Sequence, residues 1–231
     1  MKEGVFKGTG DVEEIFDMNY NTTNLPEEVQ KYLAEIYNDE ELRDVFYDCD
    51  IEIYDEDWIK DIEEDEAWLE DLMGPGESSY SNLKPFGRDG TGALWVVIDD
   101  SMIGYIGTEG QCGIVARNIH EFMNIASVWG GYLCDYWDED ILASREAFYD
   151  TMNNPERLEQ YENIERNRRV FEGFIKRHGF TKEIYEMAVG GITVEPFFIV
   201  KATTDEYVDS ESLISPLDGQ NKLVDLIKRL K

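Results

Sequence analysis

An uninterrupted apolar run, Ala93-Leu94-Trp95-Val96-Val97-Ile98, constrains the fold of this chain more than any other segment. Continuous hydrophobicity, without alternating polar residues, is typical of a β-strand that is buried on both faces. Asp99-Asp100-Ser101 then provides a turn, and Met102 to Ile106 predicts a strand that returns. Glu109-Gly110 turns the chain again, into a third strand from Gly113 to Ala116. Three short strands joined by tight polar turns predict an antiparallel meander.

Helices are expected on both sides of this meander, because apolar residues recur there at helical spacing. Upstream, Asn24 is expected to cap a helix that has Pro26 in its first turn. A second helix is expected from Glu56 to Met73. Downstream, Asn118 followed by Glu121 three residues later predicts another capped helix.

Two further segments complete the expected core. Cys49, Ile51 and Ile53 alternate with polar residues, which predicts a short strand with one acidic face. The glycine-rich stretch from Pro85 to Gly92 predicts a turn before the apolar strand.

The chain becomes mainly helical beyond Gly130-Gly131. Helices are expected from Ile141 to Met152 and from Asn154 to Gly179, and a last one over Leu223 to Leu230. A strand is expected from Val194 to Ala202. We therefore expect a core domain of residues 1–129 and a mainly helical extension of residues 130–231, packed together as one compact unit.

Net charge limits the partners that the chain can bind. It has 51 acidic and 21 basic residues, a formal net charge of −30. Such a surface repels nucleic acids, whose binding depends on Lys and Arg displacing counterions, and it also repels anionic membranes. It attracts basic proteins and accelerates their association about 10- to 1,000-fold. Solubility is the alternative explanation for the same acidity.

The remaining composition predicts a cytoplasmic protein. Cys49, Cys112 and Cys134 have no CxxC spacing and cannot all pair, so isolated buried thiols in a reducing compartment are expected. The first residues lack the apolar segment of a signal peptide. The longest apolar runs are too short to span a bilayer. The oligomeric state is left open.

Four segments carry a resemblance to a known family. Two of them are Leu25-Pro26-Glu27-Glu28-Val29, at the start of the first helix, and Asp89-Gly90-Thr91-Gly92-Ala93-Leu94-Trp95, which joins a glycine-containing turn to a hydrophobic strand. The others are Tyr105-Ile106-Gly107-Thr108-Glu109-Gly110 and the Ala-x-x-x-x-Glu-Phe pattern from Ala116 to Phe122. In this order, residues 25–126 resemble the SUKH superfamily, and residues 130–231 depart from its usual short form.

The resemblance implies an α+β fold with a central, mostly antiparallel sheet flanked by helices. It also implies a binding role, because bacterial members are largely immunity proteins encoded beside toxins, often nucleases or deaminases. Fungal relatives regulate cell-wall synthesis through protein contacts. The superfamily has no catalytic residue set, so the resemblance implies neither an enzyme nor a cofactor.

A dense acidic segment from Glu35 to Asp71, with Arg43 and Lys60 as its only cations, is the candidate binding surface. Its like charges repel one another at short range, and a cationic partner would relieve that repulsion. Nuclease toxins need basic substrate grooves, which an acidic surface can occupy. The predicted partner-binding residues are Asp48, Asp50, Glu52, Asp55, Glu56, Asp57, Asp61, Glu63 and Glu64. A solvated helix face is the alternative interpretation.

The same segment does not fit a calcium-binding loop. An EF-hand loop has glycine at its sixth position, whereas a loop starting at Asp48 has Ile53 there and one starting at Asp55 has Lys60. The Asp89-Gly90-Thr91-Gly92 segment lacks the Lys-Ser/Thr pair and the helix of a phosphate-binding loop. We therefore predict no metal site and no cofactor.

Other polar groups give weaker signals. His120 and His178 have neither the spacing of a catalytic triad nor that of a metal site. Arg166, Arg168 and Arg169 are expected to pair with glutamates of their own helix. A regulatory or scaffold interaction domain is the first alternative to an immunity protein. A carboxylate-based enzyme is the second, although no particular pair of acids stands out.

Overall fold

A computed structural model of the chain describes residues 24–54, 59–72, 80, 82–108, 111–161, 163–198 and 211–212. The helices among them are α1 (Glu27–Asn38), α2 (Glu40–Tyr47), α3 (Ile59–Leu72), α4 (Ile119–Trp129), α5 (Glu139–Leu142), α6 (Arg145–Met152), α7 (Pro155–Leu158), α8 (Ile164–His178) and α9 (Tyr185–Ile192). The strands are β1 (Glu52–Ile53), β2 (Leu83–Arg88), β3 (Leu94–Ile98), β4 (Met102–Ile106), β5 (Gln111–Ala116) and β6 (Glu211–Ser212). A 3₁₀ helix spans Leu133–Tyr136. The predicted α+β class, with helices following the sheet, is confirmed.

The strands lie in the sheet in chain order, from β1 to β6. Neighbouring strands from β1 to β5 are antiparallel, which confirms the predicted meander, and β6 joins β5 in parallel. The pairing of β2 with β3 shifts register between Pro85 and Gly87. Pro85 lies inside β2, next to this irregularity. The turn predicted to begin at Pro85 therefore begins only after Arg88.

All five residues of β3 are buried, which confirms the strand predicted from the apolar run. Its side chains alternate between two hydrophobic cores, because successive residues of a strand point to opposite faces. Trp95 and Val97 belong to the larger core, which includes residues of α1, α2, α4, α8 and α9. The smaller core contains Leu69 of α3, Leu83, Leu94, Val96, Ile98, Ile106, Cys112, Ile114 and Phe198.

The larger core contains side chains from both sides of residue 130. Phe46 of α2 packs edge-on against Phe171 and Phe174 of α8, with ring centroids 5.2 and 5.9 Å apart. Gly191 of α9 lies so close to β5 that a Cβ atom there would be 2.2 Å from the carbonyl oxygen of Val115. Only glycine allows this approach of helix to strand.

The N-terminal helix boundaries differ in part from those predicted. The prediction of Asn24 as a cap was wrong, since α1 begins at Glu27 and its N-cap residue, Pro26, makes no side-chain capping bond. Pro26 has ψ of 143°, an extended conformation, so the helix starts only after it. The predicted cap at Asn118 is confirmed, because its side chain accepts a hydrogen bond from the backbone N–H of Glu121.

The predicted helix from Ile141 to Met152 is divided into α5 and α6. The division follows from Ser144, whose side chain caps α6 by accepting a hydrogen bond from the backbone N–H of Ala147. The helix predicted from Asn154 is divided into α7 and α8, with Asn163 in the left-handed region at φ of 61°. Its predicted end at Gly179 is confirmed, with φ of 65°.

The strand predicted from Val194 was wrong over residues 194–198, which have no strand structure and include a cis peptide bond between Glu195 and Pro196. Residues 199–202 and the predicted last helix over Leu223 to Leu230 lie outside the described residues. None of the described helices is both long enough and apolar enough to span a bilayer.

Candidate partner-binding surface

The nine predicted partner-binding residues fall into three groups by location. The connection between α2 and β1, with the first residue of β1, contains Asp48, Asp50 and Glu52. The helix α3 contains Asp61, Glu63 and Glu64, and the last two are exposed. Asp55, Glu56 and Asp57 lie outside the described residues.

The connection after α2 is held against the turn that joins β2 to β3. Asp50 has φ of 65°, a left-handed conformation that aspartate tolerates better than most residues. Its Oδ1 atom accepts a hydrogen bond of 2.8 Å from the backbone N–H of Gly90. Trp95 Nε1 donates to the carbonyl oxygen of Asp50 at 3.3 Å. These bonds fix the position of the Asp50 carboxylate at one end of the sheet.

Asp89 stands at the start of the same turn, and only 7% of it is exposed. Its Oδ1 atom accepts hydrogen bonds from the backbone N–H groups of Thr91 and Ala93 and from the Thr91 hydroxyl, at 2.7 to 2.9 Å. Its Oδ2 atom accepts one from the Tyr105 hydroxyl at 2.7 Å. The side chain therefore stabilises the turn and places a buried carboxylate next to Asp50.

Burial and like charge act together on this group of acids. Burial raises the pKa of Asp50, and the charge of Asp89 raises it further, whereas the hydrogen bond from Gly90 lowers it. Burial likewise raises the pKa of Glu52, and the charges of Asp50 and Asp89 raise it further, against the opposing effect of Arg88. The structure therefore brings Asp50 and Glu52 together with an acid that was not among the predicted residues.

The helical extension contributes to the same region through the 3₁₀ helix. Tyr132 is 42% exposed, and its pKa is raised by burial and then by the charge of Asp50. The pKa of Cys134 is raised to about 11, first by burial of the thiol and then by the charges of Asp135, Asp50 and Asp89. We call Asp48, Asp50, Glu52, Tyr132 and Asp135 the acidic turn surface.

Nearby contacts hold the 3₁₀ helix in place. Asp135 Oδ2 accepts hydrogen bonds from Arg157 Nε at 3.0 Å and from the Tyr161 hydroxyl. The Arg157 guanidinium lies 4.1 Å from the ring centroid of Trp129. Tyr161 packs edge-on against Tyr132, with ring centroids 5.1 Å apart. Tyr132 is thus an exposed aromatic side chain on a well-packed support.

Several acids of the acidic segment from Glu35 to Asp71 are paired inside the molecule. Asp65 of α3 is 8% exposed and accepts two hydrogen bonds from Arg88, from Nε at 2.8 Å and from Nη2 at 2.6 Å. The Tyr54 hydroxyl also donates to Asp65. Arg166 donates to Asp44 at 2.8 Å and lies 4.0 Å from Asp48. Arg166 pairs inside the molecule, as predicted, but the partners that the structure describes lie on α2 and directly after it rather than on its own helix, because α8 packs beside α2.

Cys49, Cys112 and Cys134 form no disulfide with one another. Cys49 and Cys112 are buried, as predicted. The prediction was wrong for Cys134, because this residue as a whole is exposed although its thiol is partly buried. In the described part of the chain, no group of three or more His, Cys, Asp or Glu residues could hold a metal ion.

Both histidines contact Tyr32 of α1, a proximity that no local sequence pattern predicts. The Tyr32 hydroxyl is hydrogen-bonded to His120 Nδ1 at 2.8 Å. The Tyr32 and His178 rings lie 5.0 Å apart, and His178 Nε2 is 2.7 Å from a carboxylate oxygen of Glu35. Phe180 stacks on His178 at 5.2 Å, so this aromatic cluster joins α1, α4 and the end of α8.

Comparisons of the chain with protein-family models, curated proteins and solved structures found no match. The resemblance to the SUKH superfamily therefore stays a prediction.

Proposed function

We propose that this protein is an immunity protein that binds and neutralises a basic toxin, of the nuclease type, through the acidic turn surface. The observation that carries the proposal is the placement of Asp50 and Glu52 beside the buried Asp89. Burial and the neighbouring negative charges raise the pKa values of the Asp50 and Glu52 carboxyl groups.

Raised carboxyl pKa values mean that the ionised forms are disfavoured at this site. The arrangement therefore lowers the stability of the folded chain at neutral pH. A lysine or arginine of a partner would reverse the effect, because an opposite charge at close range favours the ionised carboxylate. The acidic turn surface is thus better suited to a complex with a cationic protein than to the isolated chain.

The exposed acids of α3 support the same proposal at longer range. Glu63 and Glu64 lie on a helix that the Asp65–Arg88 pair fixes to β2. Charges at such positions steer a basic protein towards the surface and raise its association rate, an effect that salt screens. We include Asp61 and residues 55–57 in the proposed surface on sequence grounds alone.

The test is co-expression with the product of the neighbouring gene, scored by cell survival and by direct titration of the purified proteins. The test variant combines Asp50→Asn with Glu52→Lys, and asparagine retains both the hydrogen-bond acceptor and the tolerance of the left-handed conformation. The matched control combines Asp150→Asn with Glu146→Lys, which makes the same charge change at exposed positions of α6.

We expect the test variant to lose about 100-fold or more in affinity and to lose protection, with the control unchanged. Equal protection by both variants would overturn the assignment of the surface. A neighbouring product that binds without being toxic would favour the regulatory or scaffold alternative. Neutralisation by turnover, rather than by a stoichiometric complex, would favour the carboxylate-based enzyme.

A further inference from the structure

Several cations on α8 and directly after it lack an acidic partner. Arg166 and Arg177 of this helix do form ion pairs, with acids of α2 and α1. Four other cations are exposed and form no ion pair with any residue that the structure describes: Arg168, Arg169, Lys176 and Lys182. The chain has 51 acidic residues, so acids for pairing are abundant. Cations that stay unpaired among so many acids indicate a place where a ligand can supply the negative charge.

Two of these cations line a groove of about 280 Å³ between the end of α4, the end of α6 and α8. They are Arg168 of α8 and Lys182, which follows α8. The apolar part of the lining consists of Val128, Met152 and Ile175, which pack against the larger core. The groove thus combines an apolar base with two unpaired positive charges.

Two other polar side chains complete the groove. Glu172 lies one turn after Arg168 on α8. The prediction that Arg168 pairs with a glutamate of its own helix was wrong, since it forms no ion pair with Glu165 or Glu172. Asn153 Nδ2 donates to the carbonyl oxygen of Tyr149 at 2.7 Å, which leaves the Oδ1 atom of Asn153 as an acceptor. The groove therefore presents two positive charges, one carboxylate and one neutral acceptor beside its apolar base.

The charges of the groove indicate a ligand that carries both signs. A guanidinium such as that of Arg168 binds a carboxylate through two parallel hydrogen bonds, and Lys182 adds a second positive charge. Glu172 is suited to an ammonium group. The net charge of −30 repels a simple anion at long range, whereas a zwitterion has no net charge to be repelled.

The volume and the apolar base restrict the ligand further. Sites for drug-sized ligands usually have volumes of about 300–1,000 Å³, so a groove of about 280 Å³ suits a smaller molecule. Val128, Met152 and Ile175 favour a ligand with an aliphatic part that covers them. A carboxylate, an ammonium group and an aliphatic side chain on one small skeleton are the groups of an aliphatic α-amino acid.

We propose that this groove binds a free α-amino acid with an aliphatic side chain of the size of leucine. Its carboxylate pairs with Arg168 and Lys182, its ammonium group pairs with Glu172, and its side chain covers the apolar base. A peptide does not fit the same pattern, because its terminal ammonium and carboxylate groups belong to different residues. None of the groove residues belongs to the acidic turn surface, so this inference is independent of the proposed function.

An NMR titration of the full chain, with labelled methionine and isoleucine methyl groups, detects a ligand at Met152 and Ile175. The probes are L-leucine, glycine, which lacks the aliphatic side chain, and 4-methylpentanoate, which is leucine without its amino group. We expect leucine to shift both methyl resonances saturably. Glycine should bind at least about tenfold more weakly, because it covers none of the apolar base. 4-Methylpentanoate should also bind at least about tenfold more weakly, because it has no ammonium group for Glu172.

Variants assign the contacts to particular residues. Arg168→Met keeps an unbranched apolar stem and removes the guanidinium, so it should weaken leucine binding about tenfold or more. Arg169→Met is the matched control, because it makes the same charge change at the next residue, which is exposed and does not line the groove. The control should keep its affinity for leucine within about twofold. Glu172→Gln should reduce the preference for leucine over 4-methylpentanoate about tenfold, because it removes the charge that favours the ammonium group.

Three results would overturn the inference. The first is the absence of a saturable shift at about 10 mM leucine. The second is equal affinity for leucine and 4-methylpentanoate, because the groove would then select a carboxylate rather than an amino acid. The third is equal weakening by Arg168→Met and Arg169→Met, which would reflect only the net charge of the chain. None of these results affects the proposed function, since toxin binding is measured at another surface.

Discussion

The ion pair between Arg88 and Asp65 is expected to be a main contribution to the stability of α3 on the sheet. Arg88→Met removes both hydrogen bonds to Asp65 and leaves a carboxylate that is 8% exposed with its bond from Tyr54. Removing one partner of a fully buried ion pair costs about 3–5 kcal/mol. The Arg88 side chain is 21% exposed, so we expect a smaller loss, of about 2–3 kcal/mol, in the free energy of unfolding.

The measurement is urea unfolding followed by circular dichroism, with the slope of the transition compared between variants. Lys84→Met is the matched control, because it removes a positive charge from the same strand. Lys84 pairs with Asp100 at 2.7 Å, and the Asp100 side chain is 62% exposed. Exposed pairs contribute about 0–1 kcal/mol, so the control should lose little.

A rescue experiment separates the buried charge from the loss of packing. Adding Asp65→Asn to Arg88→Met removes the uncompensated carboxylate and keeps an acceptor for the Tyr54 hydroxyl. We expect it to restore at least half of the lost free energy of unfolding. If Arg88→Met cost no more than Lys84→Met, the ion pair would not be the contact that holds α3.

Two further predictions concern the acidic turn surface and the adjacent Cys134. Asp50→Asn with Glu52→Gln should raise the free energy of unfolding at pH 7 by a few tenths to about 1 kcal/mol. Folding raises the pKa of both groups, so their destabilising effect is full at neutral pH and is lost as pH falls below about 4. Urea unfolding should therefore show no increase in the free energy of unfolding of the variant at pH 3. A decrease at pH 7 would contradict the assignment. Cys134, with its pKa raised to about 11, should react with iodoacetamide at pH 8 more than tenfold more slowly than free cysteine. Reaction at the rate of free cysteine would show that burial and the neighbouring acids do not raise the pKa of this thiol.

Local signals in the sequence were sufficient to predict several elements. The apolar run of β3, the cap at Asn118 and the end of α8 at Gly179 each depend on residues within one segment. A local signal for the start of α2 was also present, since the Asp39 side chain accepts a hydrogen bond from the backbone N–H of Leu42. That helix was not predicted separately from α1.

The candidate site depends more on contacts between distant segments. Asp48, Asp50 and Glu52 are close in sequence, so their grouping could be predicted. The proximity of Asp89 and of the 3₁₀ helix follows from the order of the strands and from the packing of the extension, which no local pattern encodes. In the same way, nothing near Asp65 indicates that Arg88, 23 residues away, pairs with it.

The distribution of cations bears on whether the acidity serves only solubility. Several arginines pair with particular acids inside or between elements: Arg88 with Asp65, Arg157 with Asp135, Arg166 with Asp44 and Arg177 with Glu35. Acids that serve only solubility are expected to be well hydrated and apart from one another, as surface charges usually are. Asp50 and Glu52 are instead partly buried beside a third carboxylate, which lowers stability without improving hydration. Solubility explains exposed acids such as Glu63, whereas the arrangement at the end of the sheet favours a surface completed by a positively charged partner.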